Sequence, residues 1–200
     1  MDAVLVIACG ALAHDLVRVK NLNRWDHMEI QCLPAELHNE PQKIPEAVRL
    51  KIRENKGKYR DILIGYSDCG TGGLLDVVIE QEGVERLPGA HCYEMFAGDI
   101  GFSQLHESEP GTFYLTDFLA RHFDRLVIKG LGLDRFPELK EVYFTHYKKL
   151  VYLAQLDDDE IDQKAREAAE FLNLEYLRID TGDRFLESAL SVKIGTARVD

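Results

Sequence analysis

The order of apolar segments predicts an α/β fold: a doubly wound, mostly parallel, Rossmann-like sheet of about six strands, with a helical insertion between the fourth and fifth. Short runs rich in Val, Ile and Leu alternate with longer amphipathic stretches, the pattern of strands joined by helical crossovers. The first run, Val4-Leu5-Val6-Ile7-Ala8, is continuously apolar, as expected of a strand buried on both faces. No internal repeat, low-complexity tract or linker interrupts the alternation, so residues 1–200 are expected to form a single domain.

Taken in order, Val4–Ala8 is the first predicted strand and a helix follows near Leu12–Lys20. His27–Cys32 is the second strand, with a helix over Pro45–Asn55. Asp61–Tyr66 is the third strand, Gly73–Gln81 a short helix and Val84–Leu87 the fourth strand. The block 100–149 reads as the helical insertion, with helices near Thr112–Phe123 and Glu138–Lys149; alternatively Leu126–Ile128 is a strand and the block a small subdomain. Leu150–Gln155 and Glu175–Ile179 complete the strands, separated by a helix over Asp158–Leu172, and the tail Gly195–Asp200 is expected to be loose.

A net charge of -11 repels phosphate backbones and anionic lipid, which argues against nucleic-acid binding and membrane docking. The apolar N-terminus has no basic region before it and is too short for a signal peptide or a membrane span, so a cytoplasmic location is expected. The four cysteines are then better read as ligands, nucleophiles or core residues than as disulfides.

Ligands of open α/β sheets bind beyond the carboxyl ends of the strands. Cys9 directly follows the first predicted strand, Cys69 lies in the loop after the third and Cys92 in the loop after the fourth. A parallel sheet places all three on the same edge, so they are the candidate metal ligands. The plain alternative is that each is a small buried apolar residue. Cys32, inside a strand and expected to face the core, is the weakest candidate. Gly10, Gly70, Thr71 and Gly72 lie beside the cysteines, where the backbone turns and can approach a bound group closely; they are the candidate cofactor-binding positions. Three thiolates suit Zn²⁺ with an open position or a histidine, and equally a [4Fe–4S] cluster with one open iron; the linear spacing decides neither. Without a metal, one cysteine could be a nucleophile.

His38, after the second strand, is the best additional ligand or general base, and Asp68 the best carboxylate to orient a ligand or take a proton; these are the candidate catalytic residues. His38 could equally be an exposed loop histidine, and Asp68 a helix cap, as could Glu36 and Glu94. His91 adjoins Cys92, but neighbouring side chains in extended chain point apart, and Cys92 is favoured for the centre. Gln155, at the end of a strand, is placed to reach the same edge, and Thr112 could cap a helix whose end holds an anion. Gly130-Leu131-Gly132-Leu133-Asp134-Arg135 lacks the full dinucleotide fingerprint, and no Walker lysine motif is present. The cluster Tyr143, Phe144, Tyr147 and Tyr152 reads as core or interface rather than a cofactor cage.

Ala8-Cys9-Gly10, Leu37-His38-Asn39, Asp68-Cys69-Gly70-Thr71-Gly72-Gly73, Gly89-Ala90-His91-Cys92-Tyr93-Glu94 and Pro110-Gly111-Thr112-Phe113-Tyr114-Leu115-Thr116-Asp117-Phe118-Leu119, extended by Gly130-Leu131-Gly132-Leu133-Asp134 and Val151-Tyr152-Leu153-Ala154-Gln155, resemble an uncharacterised bacterial and archaeal domain-of-unknown-function family. Members of that family look to be encoded near corrinoid-dependent methyltransferases in some genomes, so the resemblance implies one-carbon metabolism, with a corrinoid protein or methyltransferase as partner. Two functions compete at this point. One is a metal-dependent enzyme, a transferase or lyase, acting on a small-molecule substrate; the other is a non-catalytic metal or corrinoid carrier serving a methyltransferase. A third possibility leaves the cysteines in the core and places function on a partner surface.

Overall fold

Six consecutive buried residues, Val4–Cys9, form β1, the strand about which the N-terminal part of the chain is arranged. In the computed structural model, which describes residues 3–194, β1 pairs in parallel with β2 (Met28–Leu33) on one side and β3 (Asp61–Gly65) on the other. A short β4 (Glu85–Arg86) extends the sheet beyond β3, giving the order β2-β1-β3-β4. The chain builds β2 to one side of β1 and then crosses to build β3 on the other. The order therefore reverses between β1 and β3, and the crevice at their carboxyl ends is where such sheets bind ligands.

The crossovers follow from local chemistry. α1 (Ala13–Asn23) stops at Arg24, which takes the left-handed conformation with φ 53°. α2 (Ile44–Asn55) buries Ile44, Val48 and Ile52, four residues apart on one face, and carries Pro45 in its first turn. α3 (Leu74–Glu82) buries Leu75 and Val78 and is closed by Gly83 at φ 68°. The short α4 (Glu94–Ala97) begins just after Cys92.

The contacts divide the chain into two compact units. One runs to Met95 and takes back the C-terminal segment from Asp183; the other is Phe96–Gly182. Arg18 on α1 holds the returning segment through a bidentate pair with Asp183, Nε to Oδ2 at 2.5 Å and Nη2 to Oδ1 at 2.6 Å.

The second unit contains α5 (Asp99–Ser108), β5 (Thr112–Thr116), α6 (Asp117–Arg121), α7 (Leu139–Phe144), β6 (Lys149–Ala154), α8 (Asp159–Leu172) and β7 (Glu175–Asp180). Its strands form a parallel sheet of their own in the order β5-β6-β7. α8 is capped by Asp158, whose carboxylate accepts from the Glu160 and Ile161 amides, and ends at Asn173 with φ 59°. Ile161, Ala165, Ala169 and Leu172 of α8 pack into one core with Leu115, Phe123, Phe144, Leu150 and Tyr152.

This architecture keeps the α/β class but corrects the single six-stranded sheet to two parallel sheets of four and three strands. The difference lies in the block 100–149, which is not wholly helical. Thr112-Phe113-Tyr114-Leu115-Thr116, expected to open a helix, is β5; its β-branched and aromatic residues are largely buried beside β6. Thr116, not Thr112, caps the helix that follows, its hydroxyl accepting from the Leu119 amide at 3.4 Å. The helix expected over Glu138–Lys149 ends at Phe144, because Lys149 already belongs to β6. Leu126–Ile128 lies in the π-helical turn Asp124–Lys129 rather than in a strand. The tail Gly195–Asp200 lies outside the described residues. Among the described residues, no helix is long and apolar enough to cross a membrane.

Candidate metal centre

Cys9 is the last residue of β1, and Gly10 opens the 3-10 turn Gly10–Leu12 that leads out of the sheet. The Cys9 sulfur accepts from the Ala11 amide at 3.3 Å. Leaving β2, the chain makes another 3-10 turn, Ala35–Asn39, which carries His38 back toward β1. His38 Nδ1 lies 3.3 Å from the Ala35 carbonyl oxygen and 3.4 Å from Cys9 Sγ. A carbonyl oxygen can only accept, so Nδ1 carries the hydrogen in that contact. The other ring nitrogen, Nε2, is buried and has no hydrogen-bond partner among the described residues.

The loop after β3 is shaped by its own side chains. Asp68 accepts from the Thr71 hydroxyl at 2.6 Å and from the Gly73 and Gly72 amides at 2.8 and 3.1 Å. Burial pushes the Asp68 carboxyl up, but these hydrogen bonds outweigh it and leave it below its ordinary value. Cys69 takes a left-handed conformation, φ 51°, and Gly70 and Gly72 follow at 81° and 62°, so the loop curls tightly enough to turn the Cys69 side chain inward. The Asp68 and Cys69 amides donate to the Gly89 and Ala90 carbonyls at 3.3 and 3.0 Å, fastening this loop to the one after β4.

That second loop is fixed from both ends. Arg86 donates to the Leu87 and Gly89 carbonyls at 2.9 and 3.2 Å, and Glu94 accepts from the Ala90 and His91 amides at 3.0 and 3.3 Å. Gly89 has φ 104°, and a Cβ there would stand 2.7 Å from the Glu94 carboxylate, so the loop needs glycine at this point. Cys92 is thereby delivered to Cys69 and His38. One ligand atom from each of His38, Cys69 and Cys92 lies within 4.8 Å of the others.

Of the positions singled out in the sequence, Cys69, Cys92 and His38 thus come together. Cys9 stands next to them, its sulfur 3.4 Å from His38 Nδ1, outside the group of three. Gly10, Gly70, Thr71 and Gly72 form the turns that carry Cys9 and Cys69, and Asp68 spends both carboxylate oxygens on its own loop. His91 is exposed. Cys32 is exposed rather than in the core, since β2 is an edge strand. Gln155 belongs to the second unit, where its side-chain oxygen accepts from the Asp117 amide at 2.8 Å.

Tyr66 went unnoticed in the sequence, where an aromatic residue ending an apolar strand reads as core. It is 1% exposed, and its ring stacks on His38 with centroids 6.2 Å apart and planes 14° from parallel. Its hydroxyl is buried beside the Cys9 sulfur. Burial, then the Cys9 and Cys69 sulfurs, raise its ionisation far above the usual phenol range, so the hydroxyl stays protonated.

The thiols and imidazole share protons unevenly. The Cys92 thiol, hydrogen-bonding to Cys69, leads in pulling Cys69 down to about 5; burial opposes this and His38 adds to it. The same contact with Cys69, reinforced by burial, pushes Cys92 well above its ordinary value. Burial works against charge on His38, but the Cys69 and Cys9 sulfurs outweigh it and push the ring up to about 11.

The donor set fits one zinc-like ion. Tetrahedral Zn²⁺ with Zn–S bonds of about 2.3 Å sets two sulfurs roughly 3.8 Å apart, within the observed spread. A cavity of about 590 Å³ in this unit lies at the other end of the sheet, against the strand-starting residues Val4, Asp61 and Glu85, and includes none of the cysteines.

Fold and site together define an α/β protein with a Cys-Cys-His cluster at the carboxyl edge of a parallel sheet. The chain belongs to the family described as protein of unknown function DUF1638, whose model matches residues 32–190. The match includes His38, Tyr66, Cys69 and Cys92 and begins after Cys9. No curated protein and no solved structure matches the chain.

Proposed function

We propose that the protein is a metal-dependent enzyme acting on a small molecule, with one thiophilic divalent ion, zinc above all, held by His38 Nε2, Cys69 and Cys92. The observation that carries this is the convergence of one soft nitrogen and two sulfurs within 4.8 Å, with His38 Nε2 buried and otherwise unpaired. Histidine ligands characteristically donate their second N–H to a carbonyl or other acceptor, and the Ala35 carbonyl and Cys9 sulfur receive it here. Cys9 is then the group that orients His38 and raises its basicity, not a ligand itself.

Three protein donors leave a fourth tetrahedral position for substrate, which is the arrangement of catalytic rather than structural zinc. Two thiolates and a neutral imidazole around a divalent ion make a centre without net charge, suited to binding and activating a thiol. The one-carbon connection implied by family resemblance accords with such chemistry, with a corrinoid protein or methyltransferase as the exchange partner. A [4Fe–4S] cluster is less favoured: its cysteine ligands sit on separate iron corners, whereas these donors crowd around one point and include an imidazole.

The test is purification without oxygen, followed by elemental analysis and a visible spectrum of wild type, His38→Ala and Cys69→Ala. Near-stoichiometric colourless zinc, lost in both variants, is the expected outcome. Brown protein with iron and sulfide would replace zinc by a cluster. Wild type without metal, binding none on addition, would leave the cysteines as structural residues.

A further inference from the structure

We infer that Cys69 and Cys92 are a redox pair: oxidation joins them in a disulfide and expels the ion, and reduction restores the centre. The inference rests on the metal-centre reading and adds to it a switch thrown by an oxidant.

The two sulfurs stand against each other. Their side chains hydrogen-bond, and both sulfurs lie in the group spanned by 4.8 Å, whereas a disulfide sets sulfurs about 2.0 Å apart. What keeps them together is backbone. The Asp68 amide donates to the Gly89 carbonyl and the Cys69 amide to the Ala90 carbonyl, while Arg86 and Glu94 hold the second loop. None of these bonds uses a sulfur, so the pair stays assembled when the ion leaves. The other two cysteines lie outside the group. The Cys9 sulfur accepts from the Ala11 amide and stands against His38 Nδ1, and Cys32 is exposed on the edge strand β2. Cys92 is half-buried and Cys69 buried, so Cys92 is the residue that an oxidant in solvent meets first.

With hydrogen peroxide as the oxidant, the steps balance. The Cys92 thiolate attacks one peroxide oxygen, the O–O bond breaks, and Cys92 becomes a sulfenic acid as hydroxide leaves. The Cys69 thiolate then attacks the Cys92 sulfur, the S–S bond forms and a second hydroxide leaves. The sulfurs lose two electrons and the peroxide gains them, and two protons from solvent turn both hydroxides into water. Metal ligation by cysteine needs the thiolate, which the disulfide no longer offers. His38 alone of the three donors then remains, and the ion departs. Two equivalents of a small thiol, themselves oxidised to a disulfide, return both cysteines.

The test uses the full chain, as wild type and as Cys32→Ser, which removes the exposed thiol that could link two molecules. Each is reduced, loaded with zinc without oxygen and treated stepwise with hydrogen peroxide. A chromophoric chelator reads the zinc released, and mass spectrometry of alkylated peptides reads the state of each sulfur. The expected result is about one zinc released per peroxide consumed, a link joining the Cys69 and Cys92 peptides, Cys9 alkylated as a free thiol, and zinc uptake restored by dithiothreitol. A link through Cys9, sulfinic acid in place of the disulfide, or zinc retained after the link forms would each overturn the inference. Reduced protein that takes up no zinc yet forms the Cys69–Cys92 link would end the metal reading and leave the redox pair standing. Zinc uptake with no such link would do the reverse.

Discussion

At the carboxyl end of β6, Asp117 accepts from the Tyr152 hydroxyl at 2.8 Å and from the Gln155 and Leu156 amides at 3.0 Å, while Gln155 takes the Asp117 amide in return. At the carboxyl ends of β1 and β3, two cysteines and a histidine meet within 4.8 Å beside the buried ring of Tyr66. Both edges are ends of parallel sheets with helical crossovers, and both bury polar groups. The first closes on itself, so its polar residues specify structure. The second, on the reading proposed here, is completed by a bound ion. Buried polar groups are costly unless satisfied, and on the proposed reading the contrast separates an edge that folds from an edge that binds.

Substitutions should divide along the same line. The largest effect is expected for Cys69→Ala, which should weaken zinc binding by about a hundredfold to a thousandfold, roughly 2.5–4 kcal/mol, since the 10–16 kcal/mol typical of zinc peptides is shared by four ligands. Competition with a chromophoric chelator measures it, and undiminished affinity would merge the two edges into one structural class. Asp117→Ala should lower stability by about 3 kcal/mol by orphaning three buried donors, with zinc content unchanged. Denaturant midpoints and elemental analysis on the same preparation check both halves. Cys9→Ala should reduce zinc affinity only about tenfold, the usual consequence of removing a group that orients a ligand; a loss equal to that of Cys69→Ala would make Cys9 a ligand. Glu94→Gln, which keeps one acceptor for the Ala90 and His91 amides, should cost roughly 0.5 kcal/mol in unfolding experiments and leave metal binding within a few-fold.

Much of the edge that carries the cluster was legible from residues alone, because Cys69 and Cys92 sit in glycine-bearing loops at predicted strand exits, and parallel topology puts such loops together. Cys9 was legible as a neighbour, but its rank was not: only the 3-10 turn at Ala35–Asn39 decides that His38 reaches the group and Cys9 stays outside it. Tyr66 gave no signal, since a buried aromatic at a strand end looks the same whether or not its hydroxyl is paired. The first sheet was legible because continuous apolar runs such as Val4–Cys9 leave few alternatives. The second was hidden in Thr112–Thr116, a short run between Pro110-Gly111 and an acidic helix start, where threonine serves equally as strand former and helix cap.

X-ray absorption at the zinc edge, on wild-type protein loaded without oxygen, addresses the central claim most directly. The predicted first shell is two sulfurs at about 2.3 Å, one imidazole nitrogen at about 2.0 Å and one light exchangeable atom, with His38→Ala losing the imidazole scattering. A shell of oxygen and nitrogen alone, or one unchanged by His38→Ala, would contradict a centre built from His38, Cys69 and Cys92.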